Sequence, residues 1–140
     1  PDYPGTGCFN FAIYDEAATY GCTCHLMDEG VDSGRILSVE YFHLDYRWSV
    51  EELANRTYQA ILSEYKKFID HLSVSLELPS SKEIWLRKPY TRRDLEELAR
   101  IDVNMNSKEI KRRIKATYFP DKPGPYMDFD GFKFEYNPHR

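Results

Sequence analysis

The chain has 140 residues, 41% hydrophobic, 15% aromatic and 30% charged, which is the size of one ordinary domain with enough apolar side chain for a core and too little low-complexity sequence for disorder. Its net charge of −4 is uneven, with five Lys or Arg against 13 Asp or Glu over residues 1–80 and 14 against ten over 81–140. So mild a basic surplus argues against a nucleic-acid partner, and no stretch approaches the roughly 20 apolar residues of a membrane span.

Cys8, Cys22 and Cys24 are odd in number and few, so a reducing, cytoplasmic setting is expected rather than a disulfide framework. The chain opens on Pro1-Asp2-Tyr3-Pro4, without Met and in what reads as loop sequence, and a fragment of a longer protein is expected.

Pro1 to Gly7 holds two Pro and two Gly and reads as a turn-rich loop. Phe9 to Tyr14 is a short apolar stretch that suits a turn or two of helix. A strand is predicted over residues 20–27 and another over 35–43, with Asp28 to Gly34 as a polar, Gly-containing loop between them. Val50, Leu53, Ala54, Tyr58, Ile61, Leu62, Tyr65, Phe68, Ile69 and Leu72 recur at three- and four-residue spacings, which predicts one apolar stripe on a helix over 50–72. Ser49 and Glu52 have capping-box spacing at its start. Pro79 and Pro89 bracket a boundary. Thr91 to Arg100 and Ser107 to Thr117 read as short helices, the second carrying a basic run, Lys108 to Lys115, that reads as a solvated face or, more weakly, an anion site. Asp130-Gly131 between two aromatic stretches predicts a two-residue hairpin turn. The side of the hairpin carrying Phe132, Phe134 and Tyr136 then needs cover from helices or from another subunit.

Two clusters of residues could carry chemistry. Cys22, Cys24 and His25 are zinc-ligand types, but adjacent strand residues point to opposite faces and no second Cys pair exists, so no metal site is expected. His25 and Asp32 are different: a strand-end imidazole and a carboxylate on the following loop can meet in a cleft, the usual way to orient a general base. The alternative is a structural His25 beside an ordinary turn Asp32 before Ser33-Gly34. Trp48 and Trp85 read as core or interface residues.

Pro1-x-Tyr3-x-Gly5 followed by Gly21-x-Thr23-x-His25-x-Met27-x-Glu29-x-Val31-Asp32-Ser33-Gly34-Arg35-Ile36-Leu37 resembles the second half of the signature of formyltransferases that use 10-formyltetrahydrofolate. Tyr90-Thr91-Arg92-Arg93-Asp94-Leu95, the run Ile110 to Pro120, and Pro123-Gly124-Pro125-Tyr126 are similar to the carboxyl part of sugar-amine N-formyltransferases and their relatives. The resemblance implies a mixed α/β fold, the carboxyl-terminal part of a Rossmann-like catalytic domain over residues 1–78 with a helical and hairpin subdomain over 79–140. It implies formyl transfer from 10-formyltetrahydrofolate to an amine, with a nucleotide-linked sugar as the leading acceptor and a homodimer as the assembly. Asp32 and His25 correspond to catalytic positions, Met27, Asp28, Glu29, Gly30 and Val31 to the loop lining the pterin pocket, and Tyr3 and Gly5 to the substrate side. The family's Asn-x-His-Pro stretch would lie just ahead of Pro1, so the chain alone is expected to be inactive. A non-catalytic folate-binding or assembly module, a methionyl-tRNA formyltransferase-like enzyme and a hydrolase of the formyl donor are the alternatives.

Overall fold

A computed structural model describes residues 1–138. The elements run α1 (Cys8–Tyr14), β1 (Thr19–His25), β2 (Ile36–His43), α2 (Val50–Val74), α3 (Arg92–Ala99), α4 (Ser107–Thr117), β3 (Tyr126–Phe129) and β4 (Phe132–Glu135). This is the expected mixed α/β class, with β1 antiparallel to β2 and β3 antiparallel to β4 as two separate two-stranded sheets.

The first sheet holds the site. Tyr20 pairs with Phe42 and Cys22 with Glu40, but the register slips between Cys24 and His25, where His25 pairs with Ile36 and Leu37 is left as the extra residue. Such a bulge bends the strand end and re-aims the neighbouring side chains. It also explains how consecutive Ile36 and Leu37 are both buried. The core is built from Phe11, Ala12, Ile13, Tyr20, Phe42, Leu44, Val50 and Leu53, with Leu98 and Ala116 closing it from α3 and α4.

Helix α2 begins with the expected capping box: Ser49 Oγ accepts from the Glu52 amide and the Glu52 carboxylate accepts from the Ser49 amide. Ser49→Ala removes one of these bonds and should lower stability by about 1 kcal/mol in a denaturant titration, the usual worth of an N-cap; an unchanged midpoint would rule that contribution out.

The apolar stripe is buried for only half its length. Val50, Leu53, Ala54, Thr57 and Ala60 are buried, whereas Ile61, Leu62, Tyr65 and Ile69 are about half exposed. Its 25 residues span roughly 37 Å, while seven-residue β1 reaches only about 23 Å, so the helix outruns the sheet it packs on. The hairpin turn forms as predicted, with Asp130 and Gly131 both at positive φ. Phe132 and Phe134 are left exposed rather than covered by helices of this chain.

In the basic run Lys108, Lys111 and Lys115 are exposed as a solvated face requires, whereas Arg112 and Arg113 are not. Arg112 lies 3.9 Å over the Tyr14 ring and donates to the Tyr14 carbonyl, while Arg113 donates to the carbonyls of Glu97, Leu98 and Arg100. These arginines tie α4 to α1 and cap the end of α3, a use of planar multi-donor groups that no charge count reveals. Glu109 accepts from Arg113 Nε at 2.6 Å and from Tyr14 Oη at 2.8 Å, and these bonds hold its carboxyl below the ordinary value. A depressed folded-state pKa stabilises above the unfolded value and is lost as pH falls through the folded one. Glu109→Gln should therefore cost stability at neutral pH and progressively less on acidification through the carboxylate range, read as a melting-temperature difference; a pH-independent difference would contradict the ion pair.

Candidate functional site

Two loops and the end of β1 converge on Asp32. The backbone at Asp32 is left-handed, φ +46°, a conformation Asp and Asn tolerate better than other side-chain-bearing residues. Its carboxylate is turned away from its own loop. Oδ2 accepts from the Gly5 amide at 2.6 Å, 27 residues away, and Oδ1 lies 3.6 Å from His25 Nε2. The local turn is formed instead by Asp28, whose Oδ1 accepts from the Gly30 amide and Ser33 Oγ, bonds that lower its own pKa. Asp28 thus makes the side-chain bonds within the loop, while the Asp32 carboxylate reaches across to Gly5 and His25.

His25 Nδ1 lies 2.9 Å from the Leu26 carbonyl. A carbonyl can only accept, so Nδ1 carries the proton and Nε2 is the nitrogen that faces Asp32. The bulge at Cys24/His25 places the ring there. Trp85, which sequence reasoning assigned to core or interface, closes the other side: its indole N–H donates to the Gly34 carbonyl at 2.8 Å, and its ring meets the imidazole at 5.1 Å and 86°.

The amino-terminal loop is held by Tyr90. The Tyr90 amide donates to the Pro4 carbonyl, and the Thr6 amide to the Tyr90 carbonyl, both at 2.9 Å. Gly5, at φ +88°, passes so close that a Cβ there would lie 2.4 Å from the Tyr90 carbonyl oxygen. Tyr90 in turn stacks on Phe11 with ring centroids 3.6 Å apart. Tyr3 stacks on Tyr20 beneath the Arg87 guanidinium, and burial with the nearby Asp15 carboxylate pushes its hydroxyl up to about 12.

These residues wall a cavity of about 390 Å³, with Tyr3, Gly5, Tyr20, His25, Asp32 and Trp85 in its lining. Residues 27–31 lie outside that lining as an exposed loop, Met27 being 94% exposed. The structure therefore brings together Tyr3, Gly5, His25 and Asp32 of the residues singled out in the sequence. It leaves the 27–31 loop at the border of the pair, where it joins His25 to Asp32. Cys22 also lines this cavity and, with Cys24, borders α2, and burial raises both thiols; no metal-ligand cluster occurs among the described residues.

The model of the formyl transferase family matches residues 1–69. No curated protein matches the sequence. Among solved structures, the chain is similar to a sugar N-formyltransferase from Shewanella sp. (TM-score 0.80, 21% identity, 97% of this chain and 56% of that one). It is similar to a 4-N formyltransferase from Francisella tularensis (TM-score 0.79, 20% identity, 97% and 57%). It also matches an N-formyltransferase from Helicobacter canadensis in complex with folinic acid and dTDP-3-aminofucose (TM-score 0.72, 21% identity, 94% and 48%). At these identities the likeness establishes the fold, and the chain spans about half the length of each.

Proposed function

We propose, on the premise that this chain belongs to the formyl transferase family through residues 1–69, that it forms part of an enzyme transferring a formyl group from 10-formyltetrahydrofolate to the amine of a nucleotide-linked sugar. The observation that carries the reading is Asp32, held by the Gly5 amide at 2.6 Å and set 3.6 Å from His25 in the wall of a cavity.

The donor set fits the chemistry. The formyl donor supplies an activated one-carbon acyl group on nitrogen. A carboxylate in contact with an imidazole suits the attacking amine, which must lose a proton as its nitrogen bonds to the formyl carbon, while the departing folate nitrogen must gain one. Asp32 takes up that proton, directly or through water, and once protonated can donate it to the free Nε2 of His25, 3.6 Å from Oδ1. The Gly5 amide is engaged by Asp32, so oxyanion stabilisation falls to the Asn and His of the stretch expected ahead of Pro1. The exposed backbone of residues 27–31 would offer donors and acceptors to a pterin.

Residues 1–78 then supply the catalytic part and 79–140 a subdomain that reaches back over it through Trp85 and Tyr90; His139 and Arg140 lie outside the described residues. The exposed Phe132 and Phe134 suit pairing of two copies through β4, which sedimentation of a Phe134→Asp variant would refute by showing no change of mass. Three free cysteines suit a reducing cytoplasm, and no helix among the described residues is long and apolar enough to cross a membrane.

The test joins this chain to the amino-terminal half of a formyltransferase bearing Asn-x-His-Pro and assays 10-formyltetrahydrofolate with dTDP-amino sugars. Amine-dependent loss of the formyl donor is expected. Formate release without an amine would favour the hydrolase, and folate binding without turnover the non-catalytic module.

A further inference from the structure

We propose that Trp85 is a positioning residue for the His25–Asp32 pair, fixing the imidazole through the backbone of Gly34 and Leu26; the role for which it positions them rests on the formyl-transfer reading above. Trp85 lies in residues 75–91, which run without helix or strand between α2 and α3. Such a segment has few backbone bonds of its own to hold it, so each side-chain anchor matters more. Trp85 is only partly exposed, in contrast to Ile84 and Leu86 on either side, at 67% and 64%.

Its indole N–H donates to the Gly34 carbonyl. Gly34 lies flat against Leu26, so closely that a Cβ there would stand 1.7 Å from the Leu26 carbonyl oxygen, and the Leu26 amide donates to the neighbouring Arg35 carbonyl at 2.9 Å. The Leu26 carbonyl is the oxygen that accepts from His25 Nδ1. A hydrogen bond at one end of this chain of backbone groups therefore sets where the acceptor stands at the other. The ring contact at 5.1 Å acts on the same imidazole directly. Together they hold the proton on Nδ1 against the pull of the Asp32 carboxylate, 3.6 Å from Nε2, and so keep Nε2 free to receive a proton.

The tautomer is the measurable signature. Nitrogen-15 shifts of the neutral imidazoles separate Nδ1-H from Nε2-H forms in the 140-residue chain itself, whether or not it turns over, with His25→Gln to assign the signal. His25 is expected mainly as the Nδ1-H form. Trp85→Phe keeps a ring but removes the indole N–H, and should lower the ratio of Nδ1-H to Nε2-H about fivefold, the bias of one neutral hydrogen bond. His43 and His71 serve as controls and should not move. Trp85→Leu should add a displacement of the His25 carbon-bound protons by removing the indole ring current. An unchanged His25 tautomer ratio in a folded Trp85→Phe chain overturns the proposal.

Activity separates this from the functional reading. In the enzyme completed with its amino-terminal half, Trp85→Phe should lower kcat with the KM for the formyl donor unchanged. If the tautomer shifts but the completed wild-type protein transfers no formyl group, the positioning stands and the formyl-transfer reading falls.

Discussion

Asp32→Asn should reduce formyl transfer by the completed enzyme about 10²- to 10⁴-fold, the range associated with losing a positioned proton-transfer group. The substitution isolates charge from shape. Asn accepts the left-handed backbone at φ +46° as Asp does, and its amide oxygen can still accept from the Gly5 amide across the 2.6 Å now occupied by Oδ2. What it cannot do is hold the amine proton or present a negative charge to His25 at 3.6 Å. The side chain is about one-third exposed, so desolvation contributes little and the melting temperature should stay nearly constant. The measurement is a pair: initial rates with a saturating amine acceptor, and a thermal melt of the same sample. A rate near wild type would remove Asp32 from the chemistry, whereas a rate loss accompanied by a collapsed melt would mean that the Gly5–Asp32 bond serves folding instead.

Much of this arrangement was legible in the sequence where one local rule dominates. Ser49 and Glu52 define the start of α2 because the capping box is satisfied within four residues. Asp130-Gly131 defines the hairpin because both positions require positive φ. A strand end and the loop after it share a cleft, which puts His25 and Asp32 within reach of each other, and Nε2 and Oδ1 stand 3.6 Å apart.

The misses have a common physical origin. Periodicity reports that a helix face is apolar, not how long a sheet lies beneath it, so the exposure of Ile61 and Tyr65 was invisible. Residue type does not distinguish a solvated arginine from Arg113 seated on three carbonyls. Trp85 carried no local signal, because its partners, Gly34 and His25, lie 51 and 60 positions away. Alternation of strand faces, used against convergence of Cys24 and His25, assumes a regular ladder, and the bulge falls between those two residues.

That irregularity makes Gly34 the position where one methyl group should do most damage. A Cβ there would sit 1.7 Å from the Leu26 carbonyl oxygen and 2.8 Å from its carbon, overlap with backbone on the opposite side of a closed pair, the Leu26 amide being bonded to the Arg35 carbonyl. Neither partner can withdraw without breaking that bond or pulling the Gly34 carbonyl from Trp85. Gly30 is the control within the same loop. Its Cβ would meet Ser33 Oγ, the end of a side chain that can rotate at the loss of one exposed hydrogen bond to Asp28. The exposed loop 27–33 can open to relieve Gly34→Ala, which limits the global cost to about 1–3 kcal/mol, the usual range for overpacking. The site has no such escape, because opening moves the carbonyl that orients His25, and a displacement of about 1 Å at a reacting group is worth roughly 10²-fold in rate. Gly34→Ala should therefore lose formyl transfer by at least that factor and lose the His25 Nδ1-H signature, while Gly30→Ala keeps that signature. Equal behaviour of the two variants would mean that the pinch between Gly34 and Leu26 does not set the imidazole.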